Sequence, residues 1–178
     1  MDIRDVVEFL KDTLKYIIVI IIVIFIVMYV VTTQQILGPS MNNTLNSGDL
    51  VLLNRAVYKF KNIKRFDIVS FNYSDTKYLV KRVIGLPGEK IEYKNNVLYV
   101  NDKQVDEPFL SKEVSTEDFS TMDLGYETIP RDMYLMIGDN RADSLDSRDP
   151  KVGFVSKKEI IGKVSIRFWP LNKIKLVK

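Results

Sequence analysis

Tyr78-Leu79-Val80-Lys81-Arg82-Val83-Ile84, closed by Gly85-Leu86-Pro87-Gly88, is the stretch on which the fold turns. It is rich in β-branched and aliphatic residues, and glycine and proline punctuate its end, so it reads as a strand. Alternation then puts Lys81 on one face with Leu79 and Val83, and Tyr78, Val80, Arg82 and Ile84 on the other. A lysine held between aliphatic neighbours is desolvated, and burial favours its neutral amine. The alternative is a strand lysine whose head snorkels to water. The pattern alone leaves both open.

Working outward, Leu50-Val51-Leu52-Leu53 and Asp67-Ile68-Val69-Ser70-Phe71 read as two earlier strands. Arg55 to Arg65 reads as a basic loop with a strand end at Ala56-Val57-Tyr58, and Asn72 to Thr76 as a polar turn. Downstream, Lys90 to Lys94 and Val97 to Val100 form a hairpin about Asn95-Asn96, a pair that tolerates positive φ. Asp102 to Asp123 has no clear period and predicts loops with a short element at most. Met133 to Ile137 is a further strand, Gly138 to Pro150 a long polar loop, Lys157 to Ile161 a short helix or strand, and Gly162 to Leu171 the last strand. The expectation is a mainly β fold, a barrel or folded sheet rather than an alternating α/β sheet.

The N-terminal part is different. Tyr16 to Val31 carries no charged or amide side chain, and Thr32-Thr33 extend the uncharged run to 18 residues. As a helix it would cover roughly 27 Å, close to a hydrocarbon core of about 30 Å. Arg4, Lys11 and Lys15 precede the run, and no lysine or arginine follows until Arg55. That bias places the N-terminus in the cytoplasm and the rest outside. The first alanine is Ala56, so no Ala-x-Ala-like cleavage site follows, and the segment reads as an uncleaved anchor. The expected division is a short cytoplasmic segment at 1–15, a transmembrane anchor at 16–35 and an extracytoplasmic domain at 36–178.

Composition narrows the chemistry. The 178 residues suffice for one domain with a real core and include neither cysteine nor histidine. A Ser-His-Asp triad, a cysteine nucleophile and His-ligated zinc are excluded. Any nucleophilic catalysis must take its base from Lys, Asp, Glu or the terminal amine. The net charge of +3 is spread out, without the basic footprint of a nucleic-acid binder. In Gly38-Pro39-Ser40-Met41, Ser40 is by itself either a turn residue or a nucleophile. It lies nine residues beyond Val31. At about 3.3 Å per residue it is therefore within roughly 30 Å of the end of the apolar run.

Taken together, these segments carry a family resemblance. Gly38-Pro39-Ser40-Met41 with Thr44-Leu45 and Gly48-Asp49, then Lys81 through Glu89, then Gly138-Asp139-Asn140-Arg141 with Ser144 and Asp146-Ser147-Arg148, resemble the ordered boxes of bacterial type I signal peptidases. The single short anchor resembles the Gram-positive form. The resemblance implies coiled antiparallel sheets of the signal-peptidase type, and a Ser-Lys endopeptidase that removes signal peptides from secreted preproteins. It casts Ser40 as nucleophile, Lys81 as general base, Ser144 as the group orienting the amine, and Asp146 and Arg148 as a supporting ion pair. Ile36, Met41, Leu45, Leu79 and Val80 become the candidates for shallow pockets that accept small residues at −1 and −3. No metal or cofactor is implied; the partners are preproteins and the lipid bilayer. Asn43 stands where the family usually has proline, which predicts a less rigid loop. Gly38 stands where some members carry a serine that stabilises the oxyanion.

Competing readings are weaker. Ser74-Asp75-Thr76-Lys77 matches S-x-x-K but lacks Ser-Asp-Asn and Lys-Thr-Gly partners. The acidic run from Asp139 puts Arg141 and Ser144 where a calcium loop needs an oxygen ligand and glycine. A self-cleaving Ser-Lys regulator would need a DNA-binding domain where the apolar run sits. A catalytically dead binding domain is opposed by the presence of both Ser40 and Lys81.

Overall fold

A computed structural model describes residues 3–74, 76–111 and 113–177, with the side chains of 27 and 28 set aside. In chain order it contains α1 (Ile3–Tyr29), β1 (Val31–Gln35), β2 (Leu50–Asn54), a short helix α2 (Val57–Phe60), β3 (Ile68–Ser74), β4 (Lys77–Gly85), β5 (Ile91–Lys94), β6 (Val97–Val100), β7 (Lys103–Val105), β8 (Phe119–Ser120), β9 (Met133–Ile137), β10 (Val155–Ser156), β11 (Ile160–Trp169) and β12 (Lys175–Leu176). Eight strands form one sheet in the order β1-β2-β11-β3-β4-β9-β10, with β12 pairing beside β11. Four form a second sheet, β7-β6-β5-β8. Every pairing among the described strands is antiparallel, as expected of the mainly β fold.

The stretch around Lys81 is the middle of the molecule. β4 pairs with β3 on one side, Lys81 opposite Val69, and with β9 on the other, Arg82 opposite Ile137. Its residues Val80 to Gly85 are all buried, because both faces of this strand are covered. Val80 joins a cluster with Ile36, Met41, Leu45, Val51 and Leu53. Val83 packs with Val69, Phe71 and Met136. Ile84 meets Ile91, Tyr93 and Leu98 of the second sheet. One strand thus touches three apolar clusters, and Lys81 sits among them.

Several local expectations change. The chain from Ala56 to Tyr58 is not a strand end: the Asn54 side-chain oxygen accepts from the Ala56 and Val57 N–H groups and turns the chain into α2. Strand β3 runs on through Ser74, into the segment expected to be a turn, and Ser74 pairs with Lys77. Asp75 of the Ser74–Lys77 match lies outside the described residues. The 102–123 segment supplies two short strands, β7 and β8. The hairpin at Asn95-Asn96 forms as expected, with φ of 51° and 66°.

The apolar N-terminal segment is helical only to Tyr29, starting at Ile3. Residues 31–35, expected to finish the anchor, are strand β1, paired with β2 from Val31 opposite Asn54 to Gln35 opposite Leu50. Threonine and glutamine in an edge strand read as a polar linker in one dimension; the neighbouring strand satisfies their backbone. Among the described residues no helix is long and apolar enough to cross a membrane.

Candidate active site

Three segments meet beside β4: the turn carrying Ser40, the strand residues Lys81-Arg82, and the loop that follows β9. The turn is built by the Asn42 N–H to Pro39 carbonyl bond at 2.9 Å and the Leu45 N–H to Met41 carbonyl bond at 2.8 Å. The loop holds it from outside. Asn140 donates its backbone N–H to the Ser40 carbonyl at 3.0 Å, and its side-chain amide to the Pro39 carbonyl at 3.2 Å. Gly138 lies so close that a Cβ there would come within 2.5 Å of the Ser40 carbonyl oxygen and collide with the Ser144 side chain.

A buried ion pair ties all three together. The Arg82 Nε and Nη2 donate to the two Asp139 carboxylate oxygens at 2.9 and 2.7 Å. Thr44 donates its hydroxyl to Asp139 at 2.5 Å, and the Arg82 Nη1 donates to the Phe66 carbonyl at 2.9 Å. Both charged groups are all but inaccessible, so geometry and full hydrogen bonding must offset their desolvation. The Phe109 ring covers the Arg82 guanidinium at 3.8 Å. Next along the loop, Arg141 is held by Glu107, Tyr93 and Thr116. The second sheet therefore braces the same loop that touches Ser40.

Lys81 is 1% exposed. Among the described residues it has no ion pair with a carboxylate. Burial lowers its pKa to about 8, against the opposing pull of Asp146, with the Arg148 charge also lowering it. Asp146 and Arg148 form the expected ion pair, two parallel bonds of 2.9 Å each. Asp146 also accepts from the Gly138 N–H at 3.0 Å. Burial pushes its carboxyl up, but the Arg148 bonds and charge and the Gly138 N–H outweigh burial and hold it below the usual range. The Ser144 hydroxyl is buried against Gly138 without a hydrogen bond in good geometry, and lies close enough to the Asp146 carboxylate to help hold its pKa down.

Ser40 lies on a cleft of about 40 Å³, walled by Ile36, Met41, Leu79 and Val80, four of the five residues expected to form the substrate pockets. Leu45 does not line it. The helical bond to Met41 turns Leu45 inward, and it is fully buried in the core beneath. The cleft has further walls that were not anticipated, Gln34, Gln35, Leu37 and Tyr78. For Gln34 and Gln35 the signal was hidden because β1 does not read as a strand in the sequence; Leu37 follows β1, and Tyr78 is on β4 beside Leu79. The Arg82–Asp139–Thr44 bridge and the Asn140 clamp were also missed; nothing in linear spacing joins positions 44, 82 and 139.

The chain matches the family model described as signal peptidase, peptidase S26, over residues 9–169. It is 48% identical over 139 residues to signal peptidase I V of Bacillus subtilis (strain 168), covering 74% of this chain and 82% of that protein. It is 41% identical over 157 residues to signal peptidase IB of Staphylococcus aureus (strain COL), covering 82% and 81%. The crystal structure of a signal peptidase I from Enterococcus faecalis V583 is similar to it with a TM-score of 0.53 and 35% identity, covering 59% of this chain and 98% of that one. With the antiparallel sheets and the serine cleft already described, this similarity over most of the sequence has one meaning: the chain belongs to the signal peptidase family, peptidase S26, and is a serine endopeptidase.

Proposed function

We propose that the chain removes N-terminal signal peptides from secreted preproteins by a Ser40–Lys81 dyad, working from a membrane anchor. The observation that carries the dyad is Lys81, buried in the central strand with no carboxylate ion pair among the described residues; that burial lowers its pKa to about 8. At pH 7 a pKa of about 8 leaves roughly a tenth of the amine uncharged, the form a general base requires. In a chain without histidine it is the base best suited to a serine.

The reaction follows from these groups. The Lys81 amine takes the Ser40 proton as the hydroxyl oxygen attacks the scissile carbonyl. The Ser40 N–H, which has no acceptor among the described residues, donates to the oxyanion. Lys81 returns the proton to the leaving amine, the mature protein departs, and water then attacks the acyl-Ser40 ester with Lys81 again as base. The buried Ser144 hydroxyl, beside the Asp146 carboxylate, orients the amine. The Asp146–Arg148 pair fixes the loop that carries Ser144.

The anchor is supported by the sequence run Tyr16 to Val31 and by the exposure of its side chains: Ile17 to Ile26 are each 45–59% exposed with no protein over them. A bilayer is the solvent that such a surface matches. Ser40 lies only nine positions beyond Val31, so the cleft stays near that surface.

Incubating the full chain in detergent micelles with a secretory preprotein tests the dyad. Cleavage by the parent and loss of at least about a thousandfold in Ser40→Ala and in Lys81→Ala is expected. Cleavage that survives either substitution at a comparable rate excludes that residue from its role.

A further inference from the structure

Gln34 breaks the pattern of the strand it sits on. In β1 it shares a face with Ile36, and Ile36 belongs to the apolar cluster of Met41, Leu45 and Val80. A position on that face calls for an aliphatic side chain. Gln34 is instead a carboxamide, 8% exposed, on the wall of the Ser40 cleft. No described residue donates to or accepts from that amide, yet its atoms are not sealed from solvent. A nearly buried amide without a protein partner is destabilising unless something else supplies the hydrogen bond. It opens into the same small space that holds the nucleophile.

We propose that the Gln34 carboxamide is a specificity determinant that selects a hydroxyl side chain, serine or threonine, at one of the two small-residue positions of the substrate. The inference rests on the proposed peptidase reading. An extended substrate satisfies its main chain by pairing with main chain, which leaves a side-chain amide to read a side chain. Residues −1 and −3 are two apart, so both face the same wall. A cleft of about 40 Å³ suits a small side chain. Ile36, Met41 and Val80 give the buried wall apolar surface, and Gln35 and Tyr78 line the cleft as exposed residues, so Gln34 is the buried amide that distinguishes serine from alanine by hydrogen bonding.

The test uses the full chain in micelles and a preprotein series with Ala or Ser at −1 and, separately, at −3. The readout is the ratio of kcat/KM for the Ser substrate to that for the Ala substrate, for the parent, Gln34→Met and Gln34→Leu. Methionine keeps the length of the side chain, and thermal unfolding of each variant confirms folding. The expected result is a ratio that falls by about threefold to tenfold at one position in both variants, the range of one neutral hydrogen bond. A ratio unchanged at both positions, with Ser and Ala substrates slowed equally or not at all, overturns the inference while cleavage by the parent leaves the peptidase reading standing. A parent that cleaves none of the substrates overturns both.

Discussion

Asn43 adopts a φ of 82°, in the left-handed region that asparagine tolerates and proline cannot enter. The loop carrying Ser40 has therefore not simply lost the stiffness that a proline would give. It takes a turn that a proline would forbid, and its rigidity comes from elsewhere, from the Asn140 bonds to Pro39 and Ser40. Asn43→Pro is expected to destabilise the protein by at least about 1–3 kcal/mol, since the ring must force the turn into another conformation. Asn43→Gly is expected to stay within about 1 kcal/mol of the parent. Denaturant unfolding of the two variants checks both. Gly38 has the same constraint, with a φ of 81°, so a serine at that position would carry backbone strain here. In the proposed mechanism the oxyanion is then left to the Ser40 N–H and donors other than a side chain at 38.

At the scale of elements, the site is a junction of the Ser40 turn, strand β4 and the loop after β9, fastened by Arg82, Asp139 and Thr44. Removing one partner of such a buried pair leaves the other charge stranded. Asp139→Asn is expected to cost about 3–5 kcal/mol in stability, whereas Lys90→Gln, which loses only an exposed pair with Asp102, is expected to leave stability nearly unchanged. Thermal or urea unfolding separates the two. This junction also marks how far the sequence could be read. The strand around Lys81 was legible from its aliphatic run and its Gly-Pro stop, and the boxes around positions 40, 81 and 144 from their order, but alternation left the burial of Lys81 open, and both faces of the strand are in fact covered. The Arg82–Asp139 bridge was not, because a partner 57 positions away leaves no periodic trace. Strand β1 was not either, since Thr32-Thr33-Gln34-Gln35 has neither apolar alternation nor turn residues, and only pairing with β2 makes it a strand.

At the scale of the whole molecule, α1 passes into the sheet with almost no linker: the helix ends at Tyr29 and β1 begins at Val31. The N-terminal helix and the eight-stranded sheet are consecutive elements, and β1 also walls the Ser40 cleft through Gln34 and Gln35. A chain beginning at residue 30 keeps β1, while one beginning at residue 36 loses a whole edge strand and the Gln34 wall. The shorter chain is expected to melt lower by several degrees and to cleave preprotein more slowly, read by calorimetry and by a cleavage assay in parallel. Both sheets converge on one loop, through Asp139 on the first and Arg141 on the second, and that loop sets the surroundings of Lys81. The central claim is that this lysine is the base. The most direct test is titration of the Lys81 amine by nitrogen-15 NMR in the full chain, alongside the pH dependence of kcat/KM. The account predicts an amine titrating near 8, and an activity that rises with pH through the same value as the amine loses its proton. An amine that titrates near the ordinary lysine value of about 10.4, or a rate flat across its titration, would contradict it.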